Sequence, residues 1–169
     1  MFSFPVNPNT WEQRKLGEIL EEFSKKSTVE NEFEVLSSTN SGMEYRDGRV
    51  SGSSNLGYKI VDIDDMVISP QNLWLGNINI NDLDKGLVSP SYKTFRLVGV
   101  NVNFLKPQLR TKKMMDMYSK SSIQGASVVR KNLDLDLFNQ IKMFVPDSYE
   151  QEKIGQYFVI LDHLITLHQ

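Results

Sequence analysis

The sequence predicts an α+β domain with a mixed, mostly antiparallel sheet, followed by a long C-terminal helix. Short apolar runs separated by turn residues follow one another between residues 58 and 97, which is typical of antiparallel strands. Residues 104–121 have a helical composition, and residues 148–169 repeat apolar side chains at helical spacing. We therefore divide the chain into a domain over residues 1–146 and a helix over residues 147–169.

Composition limits the class of protein. The chain has 169 residues, of which 40% are apolar and 24% charged, as in a globular domain with a core. No run approaches the roughly 18 apolar residues of a membrane span, and the N-terminus lacks the features of a signal peptide. The absence of cysteine excludes disulfides and thiolate metal sites. We expect a cytoplasmic protein without membrane contact.

The first third of the chain is predicted to hold a helix, a strand and a loop. Apolar residues recur at helical spacing from Trp11 to Phe23, which predicts a short helix or turn beginning at Trp11. Residues 33–36 form a predicted strand. Residues 37–57 are rich in glycine and serine, which predicts a loop longer than a compact domain usually carries without a function.

The middle of the chain is predicted to form the sheet. Five strands are expected, at residues 58–63, 66–69, 77–81, 86–88 and 92–97. Residues 77–81 alternate strictly between asparagine and isoleucine, which predicts a half-buried strand. A helix is expected over residues 104–121, with Pro107 in its first turn. A loop at 125–131, a short helix or turn at 133–138 and a strand at 141–145 complete the domain.

The C-terminal helix is predicted to begin at Ser148, which with Gln151 forms a capping box, while Asp147 and Glu150 form a competing pair. Its apolar face must be buried, either on its own domain or on another helix. No glycine, asparagine or proline ends the helix, which favours a longer helix that pairs with a partner. The predicted interface comprises Ile154, Tyr157, Phe158, Leu161, Leu164, Ile165 and His168.

Charge is distributed unevenly along the chain, although the net charge is only −2. Residues 106–131 contain seven basic residues and one acid, whereas residues 60–84 contain five acids and no lysine or arginine. This pattern is compatible with a basic face that binds DNA and an opposite face that binds protein. Two solvated faces of uneven charge are the alternative.

The C-terminal helix carries a motif. It consists of Pro146, Glu150, Gln151, Ile154, Gly155, Phe158, Leu161, Asp162, Leu164, Ile165, Leu167, His168 and Gln169. This motif resembles the start of the helical region in the specificity subunit of type I restriction–modification enzymes. Residues 11–18 are similar to the start of that family's target-recognition domain, and residues 67–76 and 86–92 are similar to its middle. The resemblance covers essentially the whole chain and is weakest over residues 37–57 and 104–129.

The resemblance implies an α/β recognition domain followed by a long helix. Complete subunits of this family hold two such units, whose antiparallel helices separate two domains that each read half of a bipartite DNA target. The subunit has no active site and no cofactor of its own. Its partners are modification subunits that methylate adenine with S-adenosylmethionine, and a restriction subunit that uses ATP and Mg²⁺.

The chain contains only one such unit, and its helix is shorter than in the family pattern. We therefore expect it to be a natural half-subunit, a recombinational or frameshifted fragment, or an expressed piece of a longer subunit. We hypothesise that two copies pair through the helix and read an inverted-repeat target.

Two sets of residues are candidates for contact with double-stranded DNA. Arginine suits guanine edges, and asparagine and glutamine suit adenine edges, so the candidates for base contacts are Arg46, Arg49, Gln71, Asn72 and Asn77. The candidates for phosphate contacts are Lys93, Arg96, Lys112, Lys113, Lys120, Arg130 and Lys131. Trp74 is expected either to stack on DNA or to belong to the core.

Enzymatic functions are less well supported. The chain has no glycine-rich nucleotide cradle, and its two histidines, His163 and His168, are poorly spaced for a metal. Asp147, Glu152 and Lys153 only superficially match a nuclease signature, because the last two are adjacent. The main alternative is a protein-interaction domain without DNA contact. In that case, the basic residues and the loop at 37–57 would not share one face.

Overall fold

Each strand pairs with its neighbours in antiparallel orientation, and the described strands form one four-stranded sheet and four two-stranded sheets. The computed structural model describes residues 11–46, 54–124 and 131–167. In chain order the strands are β1 Glu12–Lys15, β2 Leu20–Phe23, β3 Leu36–Ser38, β4 Met43–Tyr45, β5 Lys59–Val61, β6 Met66–Ile68, β7 Ile78–Ile80, β8 Gly86–Val88, β9 Lys93–Leu97, β10 Ser122–Gln124, β11 Lys131–Leu133 and β12 Lys142–Val145. The α-helices are α1 Leu16–Ile19, α2 Val102–Leu105, α3 Lys112–Lys120, α4 Leu135–Asn139 and α5 Ser148–Thr166. Two 3₁₀ helices, Leu73–Leu75 and Lys106–Gln108, lie between them. The predicted α+β class with a terminal helix is confirmed.

A four-stranded sheet in the order β2-β9-β6-β7 lies at the centre. Side chains alternate between its two faces, as in any strand. One face, which includes Ile68 and Phe95, packs with α2, α3 and α4 in the main core. The other face, which includes Val67, meets a smaller core contributed by β3, β4, β5 and β8. The sheet is therefore covered on both sides.

Strand β7 is buried on both faces, so the predicted half-buried strand is wrong. Its isoleucines enter the main core, while Asn77, Asn79 and Asn81 are buried on the opposite side. Asn79 donates through Nδ2 to the Ser38 hydroxyl at 2.8 Å, and Asn81 donates to the Asp84 carbonyl at 2.8 Å. Hydrogen bonding to these neighbours offsets the cost of burying the amides.

The predicted N-terminal helix is wrong over most of its length. Residues 12–23 form β1, the four-residue α1 and β2. Glu12 pairs with Val145 and Leu20 pairs with Leu97, so distant strands determine the backbone conformation here. Leu16 and Ile19 are nevertheless fully buried, as their apolar character suggests. Tertiary pairing has overridden the local periodicity.

Two other predicted segments are divided differently in the structure. The first ten residues of the expected loop 37–57 contribute to a hairpin of β3 and β4, in which Ser38 pairs with Met43. The expected helix at 104–121 begins at Val102 and is interrupted by the 3₁₀ helix Lys106–Gln108. Pro107 lies in this 3₁₀ segment, and the Thr111 hydroxyl caps a new helix, α3. Proline lacks the N–H that a continuous helix needs.

Helix α5 confirms the predicted C-terminal helix, with Asp147 as its N-cap instead of Ser148. The Asp147 carboxylate accepts a hydrogen bond from the Glu150 N–H at 2.9 Å. Aspartate is among the preferred residues at this position, and its charge suits the positive end of the helix dipole. Within the described ranges, none of the helices has the length and apolarity that crossing a membrane requires.

The main core contains a buried hydroxyl, that of Tyr118, whose effect on stability can be measured. Tyr118 is fully buried beside Phe138, and its hydroxyl has no hydrogen-bonding partner among the described residues. Burial also raises the pKa of this phenol, so it stays protonated. We expect Tyr118→Phe to raise the free energy of unfolding by about 1 kcal/mol, because the substitution removes an unsatisfied polar atom. Urea denaturation measures this change.

Tyr92→Phe is the matched control. The Tyr92 hydroxyl donates to the Ser38 carbonyl at 3.2 Å, so its loss should lower stability. If Tyr118→Phe destabilised the protein as much as Tyr92→Phe, the Tyr118 hydroxyl would have a partner after all.

Candidate nucleic-acid interface

Residues 69–77, which we call the β6–β7 loop, carry most of the predicted base-reading side chains. Leu73 anchors the loop in the core, and the 3₁₀ helix Leu73–Leu75 ends at Gly76 with φ of 89°. The Trp74 indole N–H donates to the Gln71 carbonyl at 3.1 Å, and the Asn72 amide donates to the Ser69 hydroxyl at 3.3 Å. These bonds give the loop a defined shape.

Gln71 and Asn72 are exposed on this loop. The Gln71 side-chain amide has no hydrogen-bonding partner within the described part of the chain. An exposed amide on a braced loop is free to donate and accept a pair of hydrogen bonds, which is what an adenine edge requires. The structure therefore leaves Gln71 available for the predicted contact.

Strand β11 brings a cation onto the same loop. The Lys131 ammonium lies 5.2 Å from the centre of the Trp74 ring, and it donates to the Ser119 hydroxyl at 3.2 Å. The Leu133 N–H donates to the Pro70 carbonyl at 3.0 Å, which ties β11 to the start of the loop. Trp74 is partly exposed, so it belongs neither to the closed core nor to open solvent. Candidates far apart in sequence thus meet here.

Helix α3 packs beside the β6–β7 loop and contributes lysines. Lys112 and Lys120 are exposed, and neither forms an ion pair with any residue that the structure describes. Lys113 lies 5.7 Å from the centre of the Phe144 ring. These lysines carry the positive charge that the basic segment retains at its surface.

Other basic residues of that segment are engaged within the protein. Lys106 forms an ion pair with Asp82 at 2.5 Å, and Arg110 donates to three neighbouring segments. On the acidic side, Lys85 pairs with Asp62 at 3.0 Å. Burial raises the pKa of the Asp65 carboxyl, which also accepts a hydrogen bond from the Asp62 N–H. The contrast between the two segments is therefore smaller than the sequence indicates.

Four predicted contact residues lie apart from the loop, inside the protein or in an ion pair. Lys93 is paired with Glu22 at 2.6 Å, and Arg96 stacks on Phe23 at 5.0 Å on the opposite face of the sheet. Arg46 follows β4, at the end of the hairpin remote from the turn that contacts β7. The prediction for Asn77 is wrong, because its buried amide bonds to both the hydroxyl and the carbonyl of Ser38. Arg49, Arg130 and His168 lie outside the described residues.

The first half of α5 docks on its own domain. The buried Gln151 accepts a hydrogen bond from the Asn101 N–H at 2.7 Å and donates to the Pro146 carbonyl at 2.9 Å. Gly155 faces α2 so closely that a Cβ would lie 2.9 Å from the Cβ of Asn103. These contacts give a structural reason for Gln151, which the sequence had assigned to a capping box, and for Gly155, whose role the sequence did not reveal.

The second half of α5 is more open. Of the predicted interface residues, Ile154, Phe158 and Leu161 are half-buried, whereas Tyr157, Leu164 and Ile165 are exposed. Ile160 and Val159 are exposed as well. The two interpretations of the helix therefore apply to different parts of it, since one part covers the domain and the other presents apolar side chains.

Three solved structures are similar to this one over nearly the whole chain. No protein-family model matches the sequence, and no curated protein matches it significantly. An HsdS subunit from Thermoanaerobacter tengcongensis superimposes with a TM-score of 0.64 over 96% of this chain, at 18% identity. The S subunit of a type I restriction–modification system from M. genitalium gives 0.57 over 95%, at 13% identity. The chain has the fold of one part of a type I specificity subunit.

A third structure of a type I restriction–modification system, solved to explain its assembly and conformational transition, gives a TM-score of 0.58 over 98% of the chain at 15% identity. The chain spans 45%, 41% and 42% of the three matched chains, respectively. It thus corresponds to less than half of each specificity-subunit or system chain. At these identities the likeness concerns the fold, and site residues must be argued from this chain.

Proposed function

We propose that this chain recognises a specific sequence in double-stranded DNA as half of the specificity subunit of a type I restriction–modification system. The observation that carries this proposal is the likeness to HsdS over nearly the entire chain, docked helix α5 included. In this role the chain directs adenine methylation and restriction by partner subunits. It contributes no catalytic group, and S-adenosylmethionine, ATP and Mg²⁺ belong to those partners.

We assign recognition of the DNA sequence to the β6–β7 loop. Gln71 and Asn72 are exposed amides on a loop that Trp74 and Lys131 brace, which suits paired hydrogen bonds to adenine in the major groove. Lys112 and Lys120 have no ion-pair partner among the described residues, which suits phosphate contacts that position the duplex. Base contacts then supply the preference for one DNA sequence, and phosphate contacts supply affinity for duplexes of any sequence.

Helix α5 is assigned a second helix as its partner. Each matched chain is more than twice as long as the part that this chain covers, which leaves room for a second unit of similar size. Exposed apolar residues such as Tyr157 and Ile165 would then be covered by the α5 helix of a second copy. Two copies related by a twofold axis would read an inverted repeat.

We expect Gln71→Ala to relax the preference at one base pair. Binding to the preferred duplex should weaken about tenfold, whereas binding to a duplex altered at that base pair should change little, because a two-pronged contact contributes only to the correct base. Competition binding with duplexes that differ at single positions measures this. The matched control is Gln156→Ala, because Gln156 is an exposed amide on α5. It should leave the ratios of affinity between the preferred and altered duplexes unchanged. Equal weakening on all duplexes would instead assign Gln71 to a phosphate.

Co-purification followed by DNA selection tests the proposed function. The chain is co-expressed with a type I modification subunit from the same genome, and the purified complex selects duplexes from a random pool. We expect a stable complex and one enriched motif. A complex that enriches no motif would favour the protein-interaction alternative, and the absence of any complex would contradict both the partner and the role.

A further inference from the structure

Arg110 joins three separate segments of the domain. Its Nε donates to the Gly76 carbonyl at 3.1 Å, and its Nη1 donates to the Ser41 carbonyl at 3.4 Å. Its Nη2 donates to the side-chain oxygen of Asn79. Each nitrogen of the guanidinium is therefore bonded to a different part of the protein: the end of the β6–β7 loop, the turn of the β3–β4 hairpin, and β7.

The acceptors of Arg110 are all neutral. Partial burial of the guanidinium lowers its pKa, and no carboxylate forms an ion pair with it among the described residues. The nearby Lys106 differs, because its ammonium is paired with a carboxylate, that of Asp82. Three of the five N–H groups of Arg110 already donate within the domain, so a phosphate could use only the remaining two without breaking these bonds.

One of the three segments that Arg110 joins, the β6–β7 loop, carries the candidate reading surface. The β6–β7 loop presents Gln71 and Asn72, and its opposite end is held by the bond from the Leu133 N–H to the Pro70 carbonyl. The β3–β4 turn contacts β7 through the Thr39 carbonyl, which accepts a hydrogen bond from the Asn79 amide at 2.7 Å, and its Ser41 carbonyl accepts one from Arg110. Gly76 has a positive φ, which glycine adopts without strain, and its carbonyl accepts from Arg110 as well as from the Ile78 N–H, so Arg110 adds a bond from outside the loop to those that the loop makes itself.

We propose that Arg110 is a positioning residue that determines the DNA-sequence preference of this chain without touching DNA. By bonding to the Gly76 and Ser41 carbonyls it keeps the β6–β7 loop and the β3–β4 turn in one fixed arrangement. Paired hydrogen bonds to a base tolerate displacements of only about 0.5 Å, so a loosened loop loses discrimination before it loses contact. This inference rests on the proposed function.

Lysine cannot replace arginine in this role. The planar guanidinium presents three nitrogens in a rigid fork, which matches acceptors that lie in three directions. A lysine places one nitrogen at the end of a flexible stem and cannot reach the Gly76, Ser41 and Asn79 oxygens together. Arg110→Lys therefore keeps the charge and removes the bracing, whereas Arg110→Gln removes both.

The test compares both variants with the unaltered chain, each in complex with the modification subunit. Binding is measured to the preferred duplex and to duplexes altered at single base pairs, over a range of salt concentrations. We expect both variants to lose about tenfold in discrimination between these duplexes, with an unchanged slope of affinity against salt. Lys106→Gln is the matched control, because Lys106 is a nearby cation, and it should keep full discrimination.

Other results would overturn the inference. If Arg110 contacted a phosphate, Arg110→Gln would weaken binding to every duplex alike and reduce the salt slope by about 1, and Arg110→Lys would restore both. Full discrimination in Arg110→Lys would also contradict a positioning role, and this variant retains the charge if Arg110→Gln fails to fold. An unaltered complex without any preferred sequence would overturn the proposed function itself, whereas preference retained in both variants overturns only the role of Arg110.

Discussion

We expect Gly155→Leu to lower the free energy of unfolding by about 3 kcal/mol and to detach α5 from the domain. A Cβ at this position would lie 2.9 Å from the Asn103 Cβ, 3.0 Å from the Asn101 side-chain oxygen and 3.2 Å from the Phe104 nitrogen. The last of these is a backbone atom, whose N–H donates to the capping side chain of Asn101 at the start of α2, so the neighbours cannot simply rotate away. Urea denaturation of the purified chain measures the loss.

The adjacent position supplies the control for this substitution. Gln156 is exposed on the same helix, so Gln156→Leu should change the stability by less than about 0.5 kcal/mol. Gly155→Ala is informative as well, because alanine favours a helix interior by about 1 kcal/mol over glycine. A stabilised Gly155→Ala variant would mean that α5 does not approach α2 as closely as described.

The second large effect is expected at Gly86 in β8. A Cβ there would lie 2.5 Å from Leu36 Cδ1 and 3.0 Å from the Glu34 carbonyl oxygen. The Leu87 N–H donates to that same carbonyl at 2.8 Å, so the two segments cannot separate without losing a hydrogen bond. We expect Gly86→Ala to lower the free energy of unfolding by about 2 kcal/mol. Thermal and urea unfolding measure the change.

Gly42→Ala is its control. Gly42 lies in the turn between β3 and β4, has an ordinary φ, and has open space where a Cβ would be added. The same chemical change should therefore be nearly neutral or slightly stabilising there. Equal losses at both positions would show that close packing at Gly86 is not the cause.

Local patterns were sufficient to predict the elements that depend on neighbouring residues. Strands β5 to β9 are short apolar runs bounded by turn residues, and α5 has a cap, a helical repeat and a long apolar face. The structure of the segment with β1 and β2 was predicted wrongly from local patterns, because its pairing partners Val145 and Leu97 are far away in the sequence. Alternation in β7 identified the polar face but could not reveal that Ser38 would cover it.

The sequence predicted the residues of the candidate site better than their arrangement in space. Residue chemistry selected Gln71, Asn72 and Lys131, yet only the structure brings Lys131 to the Trp74 ring. The same chemistry selected Asn77, whose amide is consumed by internal bonds. Arg110 appeared in the sequence merely as one basic residue among seven, since nothing local indicates three acceptors from other segments.

Mapping of methylated adenines tests the central claim most directly. Cells that lack other adenine methyltransferases would express the type I modification subunit with this chain, without it, or with its Gln71→Ala variant. The proposed function predicts methylation of one motif that requires the chain and that becomes degenerate at one position in the variant. If two copies pair through α5, that motif is an inverted repeat. The same methylation pattern with and without the chain, or none in either case, would contradict the proposal that this chain reads DNA for a modification enzyme.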